Sequence, residues 1–160
     1  MHRTSTAQAH RLSQHRSSSD YYQTRLQMRS IPATETTYVV VCRGPNCREQ
    51  GGLGLRKRLL QLLGRDDASV RLLGYSCFGQ CDHGPNVVIF PSNEWRGKLR
   101  LDDAAALVEY ARGNGLAPGR LLEPTAEERA QHLANIGELV ATVERDRAAR
   151  SRARRWWWPF

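Results

Sequence analysis

The feature that most constrains this chain is a strand–helix–strand run in which each strand leads directly into a pair of cysteines. Thr37–Val41 (TYVVV) is a β-branched and aromatic run and reads as a buried strand. Leu53–Leu63 carries apolar residues at 55, 59, 62 and 63, a helical stripe closed by Gly64. Val70–Tyr75 reads as the next strand. A crossover of this kind is almost always right-handed and leaves its two strands parallel, so both end on one edge of the sheet. Cys42 and Cys47 follow the first strand, and Cys77 and Cys81 follow the second. Both pairs should therefore project from the same edge, the usual place for a site in an open α/β sheet.

The rest of the core continues this pattern. Cys42–Cys47 reads as a loop containing Gly44 and Pro45, and the loop of Cys77–Cys81 runs on to Gly84-Pro85. Val87–Phe90 and a stretch around Trp95–Leu101 form an expected hairpin across Pro91-Ser92-Asn93. Asp102 or Asp103 can cap a helix running to about Arg112, which Gly113, Gly115, Pro118 and Gly119 end. The expected architecture is α/β: a mixed sheet with a β-α-β unit, a hairpin and a following helix, plus a C-terminal helical extension.

At 160 residues the chain suits one domain with extensions. Residues 1–36 read as a disordered polar tail, residues 37–123 as the domain, and 124–160 as a basic amphipathic helix with an aromatic end. The tail is rich in Ser, Thr, Gln, His and Arg without a sustained apolar period. It is also acid-poor, as in an organellar transit peptide, although its amphipathic pattern is weak. The net charge of +8 divides as +3, +3 and +2 over residues 1–36, 37–119 and 120–160. That spread argues against a nucleic-acid stripe and for easier encounter with acidic partners. No apolar run approaches the roughly 20 residues of a membrane span, and no secretory h-region is present. A reducing, cytoplasmic location is the expectation, and there clustered cysteines point to metal binding or catalysis more than to disulfides.

The four cysteines are the chain's entire complement, spaced C-x4-C, then 29 residues, then C-x3-C. Four thiolates are what one [2Fe–2S] cluster needs, two per iron. A histidine-ligated Rieske centre needs two histidines, and the core holds only His83. Spacing alone leaves a structural zinc site open, because x3 and x4 intervals are compatible with it. A redox dithiol would prefer C-x-x-C, and two ordinary disulfides would need an oxidising compartment. The amides of Gly44, Gly79 and Gly84 can approach sulfur closely. The start of the helix after Cys47, with Arg43 and Arg48, adds positive charge for an anionic cluster.

VVVCRGPNCREQGG (39–52), GYSCFGQCDHGPNVVIFPSNEWRGKL (74–99) and GLAPGRLLEP (115–124) resemble the thioredoxin-like [2Fe–2S] ferredoxins, a group related to the small cluster-bearing subunit of NADH dehydrogenase. The resemblance covers about residues 37–123. It implies a thioredoxin-like fold and a [2Fe–2S] cluster on Cys42, Cys47, Cys77 and Cys81. It further implies one-electron transfer without catalysis, a redox partner protein (a flavoprotein or oxidoreductase) and a homodimer. The alternatives are an electron-transfer subunit of a larger NAD(P)H or hydrogenase-type oxidoreductase, and a zinc-stabilised binding module. Residues 1–36 are too short and polar to match the helical region that precedes the domain in the dehydrogenase branch, which favours a free-standing carrier.

Trp95 reads mainly as a packing residue of the hairpin. Phe78, between two candidate ligands, reads equally as a shield or a core plug. His83 reads as an exposed loop residue, although histidine titrates near neutrality. Arg43 and Arg48 read either as groups that orient a partner or raise the potential, or as solvated surface charge. In the last segment Thr125 and Glu128 form a capping box, and Leu133, Ile136, Val140 and Val143 follow at helical spacing. That stripe is short for a coiled coil and should pack on its own domain. Six arginines stand against one aspartate from Arg145 to Arg155, followed by Trp156-Trp157-Trp158-Pro159-Phe160. Three readings of this end stay open: a membrane-surface contact, a docking peptide for a redox partner, and aromatic residues folded back on the protein. Nucleic-acid binding is not expected, because no aromatic residues interleave with the arginines.

Overall fold

The computed structural model describes residues 36–64 and 67–156. The expectations for the N-terminal tail and for the aromatic end beyond Trp156 lie outside the described residues. Strands β1 (Thr37–Cys42), β2 (Val70–Tyr75), β3 (Val87–Phe90), β4 (Glu94–Gly97) and β5 (Arg120–Leu121) form one sheet in the order β2-β1-β3-β4-β5. β1 and β2 run parallel, with Cys42 level with Tyr75, and every other pairing is antiparallel. The mixed α/β sheet and its β-α-β unit match the expectation.

Burial on both faces explains why β1 is apolar throughout. Side chains alternate between faces along a strand. Val39 and Val41 pack with Leu55 and Leu59 of α1 (Leu53–Leu63) and with Leu107 and Val108 of α2 (Ala104–Ala111). Tyr38, Val40 and Cys42 point into a second cluster with Phe78, Val88, Trp95 and Leu122. Ile136 of α3 (Ala126–Trp156) completes that second cluster and is fully buried. Val140 packs beside it, and Glu144 takes the Tyr38 hydroxyl and lies 3.7 Å from Arg71 Nε. Ile136 and Val140 of the α3 stripe thus pack on the sheet. The start of α3 is set by the expected capping box: the Glu128 amide donates to Thr125 Oγ1 at 3.2 Å, and the Thr125 amide to Glu128 Oε2 at 2.9 Å.

Four local readings need correction. Cys42–Cys47 is not wholly a loop, because Pro45–Cys47 already forms a helical turn capped by Gly44. The turn runs on through Arg48–Gly52, with a break at Gly51 (φ 97°), into α1. Proline suits this first position because its missing N–H would be unpaired there anyway. The second hairpin strand stops at Gly97 rather than near Leu101. Lys98 turns the chain with φ 54°, and its amide donates to the His83 carbonyl at 2.7 Å, tying the hairpin to the cysteine loop. Asp103 works one turn earlier than expected, its carboxylate accepting the Arg100 amide at 2.7 Å ahead of a short 3-10 turn. Finally, β5 went unread. It pairs Leu121 with Arg96 and Arg120 with Gly97, and two residues are too few to show alternation. Gly119 permits the pairing: its φ is +73°, and a Cβ there would sit 2.8 Å from the Gly97 carbonyl oxygen.

Candidate metal centre

The parallel β1–β2 pair delivers both cysteine pairs to one sheet edge. Cys42 is the last residue of β1, and Cys77 comes two residues after β2. The junction is tied across the strands by the Arg43 amide donating to the Tyr75 carbonyl at 2.7 Å. Gly44 lies between the two strand ends. A Cβ placed on it would be 3.4 Å from Cys77 Sγ and 3.5 Å from Cys42 Sγ, so the two sulfurs flank the volume that this glycine leaves open. Gly84 performs the same service for Cys47, whose sulfur would stand 3.1 Å from an added Cβ. Neither glycine has a positive φ; at Gly84 the requirement is for space, and at Gly44 an added Cβ would stand in contact with both sulfurs. Cys77 and Cys81 sulfurs are 3.8 Å apart. Cys42 and Cys47 are buried at 2% and 1% exposure, whereas Cys77 and Cys81 are half-buried.

The electrostatics follow from that packing. Burial pushes the Cys42 thiol up to about 12, against the opposing pull of the Gly44 and Phe78 amides, and the adjacent Cys47 adds to the rise. Cys81 is raised first by its hydrogen bond with Cys77, then by burial. The neutral thiol is thus favoured at Cys42 and Cys81, and a bound metal cation would offset that by favouring the thiolate. The Gly79 amide points at Cys77 Sγ from 3.4 Å, as expected of a donor that would stabilise a charged sulfur. The loop is held by Gln50, whose Nε2 donates to the Cys81 carbonyl at 3.0 Å, and by Lys98, whose Nζ donates to the Asp82 carbonyl at 2.6 Å. Asn86 Nδ2 donates to the Gln80 carbonyl at 2.5 Å.

The donor set fits a binuclear cluster. The sulfurs converge as a buried pair and a more exposed pair, and two thiolates per iron is what a [2Fe–2S] cluster takes.

The neighbouring aromatic residues are arranged more tightly than the sequence indicated. Phe78 is fully buried, stacks on Tyr75 with ring centroids 4.9 Å apart and meets Trp95 at 5.3 Å. It is a core plug beneath the Cys77–Cys81 loop. Trp95 is a packing residue, its Nε1 donating to Asn93 Oδ1 at 2.8 Å. His132 of α3, which sequence reasoning passed over, stands edge-on to Tyr75 and Phe78 and packs against Trp95, with Nδ1 3.1 Å from the Tyr75 hydroxyl. The usable signal was its place four residues before Ile136, on the same helical face. His83 is half-buried in the 3-10 turn Cys81–His83, not an exposed loop residue, because its carbonyl is held by Lys98. Arg43 and Arg48 are exposed, but the Arg43 stem lies across Gly74, where a Cβ would come within 2.5 Å of its Cδ.

No family model matches the chain. A [2Fe–2S] ferredoxin of Clostridium pasteurianum is 30% identical over 77 residues, which are 47% of this chain and 76% of that protein. A thioredoxin-like [2Fe–2S] ferredoxin from Aquifex aeolicus superimposes with a TM-score of 0.50 at 20% identity, over 56% of this chain and 99% of that one. A second structure of such a ferredoxin from the same organism gives 0.50 at 20% identity over 57% and 97%. The structural likeness establishes the fold.

Proposed function

The chain belongs to the [2Fe–2S] ferredoxin family with a thioredoxin-like fold, and from that premise we propose that Cys42, Cys47, Cys77 and Cys81 hold one [2Fe–2S] cluster with which the protein carries single electrons. It is a carrier, not an enzyme. The observation that supports this reading best is the convergence of both cysteine pairs at one sheet edge, with Gly44 leaving room between the first cysteine of each.

When bound, the cluster supplies one-electron redox chemistry. The chain's own residues set its surroundings. The Gly79 amide at Cys77 and the Gly44 and Phe78 amides at Cys42 offset negative charge at sulfur, one of the levers that tune such centres. The buried Cys42 and Cys47 keep water from one side. Cys77 and Cys81 lie nearer the surface.

Anaerobic purification with iron, acid-labile sulfide and zinc analysis tests the proposal, together with visible and EPR spectra. About two irons and two sulfides per chain are expected, with an EPR signal only after reduction. One zinc per chain in a colourless protein would sink it.

The same reading includes contact between the basic C-terminus and an anionic membrane surface, supported by the exposure of every residue from 145 to 153. Each arginine near such a surface contributes about 1 kcal/mol, and tryptophan favours the headgroup level. The full chain should sediment with phosphatidylglycerol vesicles at low salt and not with phosphatidylcholine vesicles. Equal recovery with both, or with neither, removes this part of the reading.

A further inference from the structure

Beside Cys42 lies a cleft of about 530 Å³ whose lining includes Arg43, Gly44, Arg48, Arg56 and Ser76. Its three arginines come from successive parts of the fold: the end of β1, the turn after Cys47, and α1. No carboxylate lines the cleft. None of the three guanidinium groups is ion-paired among the described residues, whereas Arg71, Arg96 and Arg112 all have acidic partners. Arg56 is half-buried, and its Nε is enclosed without a hydrogen-bond partner. A guanidinium with an enclosed N–H left unpaired gains from an acceptor nearby. The Arg43 stem resting across Gly74 holds that side chain along the cleft instead of leaving it loose in solvent.

A cationic cleft whose lining includes one of the four candidate ligands, Cys42, suits the surface of an incoming protein. We propose that it is the docking point for carboxylate side chains of the redox partner, which seat against Arg43, Arg48 and Arg56 and bring the partner's own centre to the Cys42 edge. This rests on the electron-carrier reading. Rim charges of this kind act mainly on the encounter rate and its salt dependence.

The test uses the full-length, cluster-loaded protein, reduced and then oxidised by ferricyanide, an anionic oxidant, or by hexaamminecobalt(III), a cationic one. Three proteins are compared: wild type, the cleft variant Arg43→Gln/Arg48→Gln/Arg56→Gln, and a charge-matched control at exposed positions outside the cleft, Arg58→Gln/Arg100→Gln/Arg120→Gln. At low ionic strength the cleft variant should react about tenfold more slowly with ferricyanide, and the control within about twofold of wild type. Oxidation by hexaamminecobalt(III) should not slow, since a change in driving force would act on both oxidants alike. Poly-L-glutamate should protect the wild type from ferricyanide and leave the cleft variant unprotected. Equal slowing in both variants would show net charge at work and overturn the proposal. So would protection by inorganic phosphate that matches poly-L-glutamate, because the cleft would then be a small-anion site. Wild-type protein without iron and sulfide brings down the electron-carrier reading itself, and the docking proposal with it.

Discussion

Cys77→Ala and Cys81→Ala proteins are expected to emerge colourless, with less than about a tenth of the wild-type iron and sulfide, because each removes one of four thiolates and leaves no other cysteine to replace it. The folded body should survive, since both side chains are only half-buried and neither carries the core. Cys42→Ala and Cys47→Ala should abolish assembly equally and also cost some stability, both being buried in the second cluster. Gly44→Ala separates space from ligation. Its backbone, at φ −57° and ψ 153°, admits any residue. The added methyl would nevertheless sit between Cys42 Sγ and Cys77 Sγ and 3.4 Å from the Ser76 carbonyl. Cluster content should fall severalfold with little change in the melting midpoint of the apoprotein. Gly54→Ala is the control: in α1 its nearest contact is Leu101 at 3.9 Å, and it should gain about 0.5–1 kcal/mol of stability while keeping the cluster. Wild-type iron content in Cys77→Ala or Cys81→Ala would refute the ligand assignment.

Ile136→Ala should destabilise the whole body by about 2–5 kcal/mol, lowering the midpoint by roughly 10 °C. Ile136 is fully buried against the sheet face that also holds Tyr38, Val40, Val88 and Trp95. Its loss opens a cavity at the centre of that layer, one helical turn from His132. In the same experiment Ala141→Gly, on the exposed side of α3, should cost only about 1 kcal/mol through helix propensity. Thermal unfolding followed by far-UV CD should give one cooperative transition. A midpoint for Ile136→Ala within a degree of wild type would mean that α3 is an appendage instead of a wall of the core.

The difference between these two experiments is also the difference between what was legible in the residues and what was not. Gly44 and Gly84 stood out in the sequence because small residues beside cysteines announce close approach, and both prove to border sulfur. The β-branched run of β1 announced a buried strand, and the order of strand, helix and strand placed Cys42 near Cys77 across 35 positions of chain. The capping box of α3 was equally readable, since its two partners are three residues apart. These are local signals, or consequences of a chirality rule that holds for nearly every such crossover.

What the residues alone left undecided depends on contacts between distant segments. β5 exists only because Gly119 lets Arg120 and Leu121 lie beside Gly97 and Arg96. Cys47 sits on a helical turn because Gly44 and Pro45 start it before the apolar stripe of α1 begins. The cleft of Arg43, Arg48 and Arg56 exists only where the end of β1 meets the start of α1. From the sequence alone came the strand order of the β-α-β unit, the two cysteine pairs and the helical period of the last segment, because hydrophobic period and backbone chirality act over a few residues. Tertiary structure alone decided that this last helix closes the second face of the sheet and sets His132 against Tyr75, Phe78 and Trp95. A helical stripe specifies that an apolar face must be buried, and only the packed sheet specifies against what.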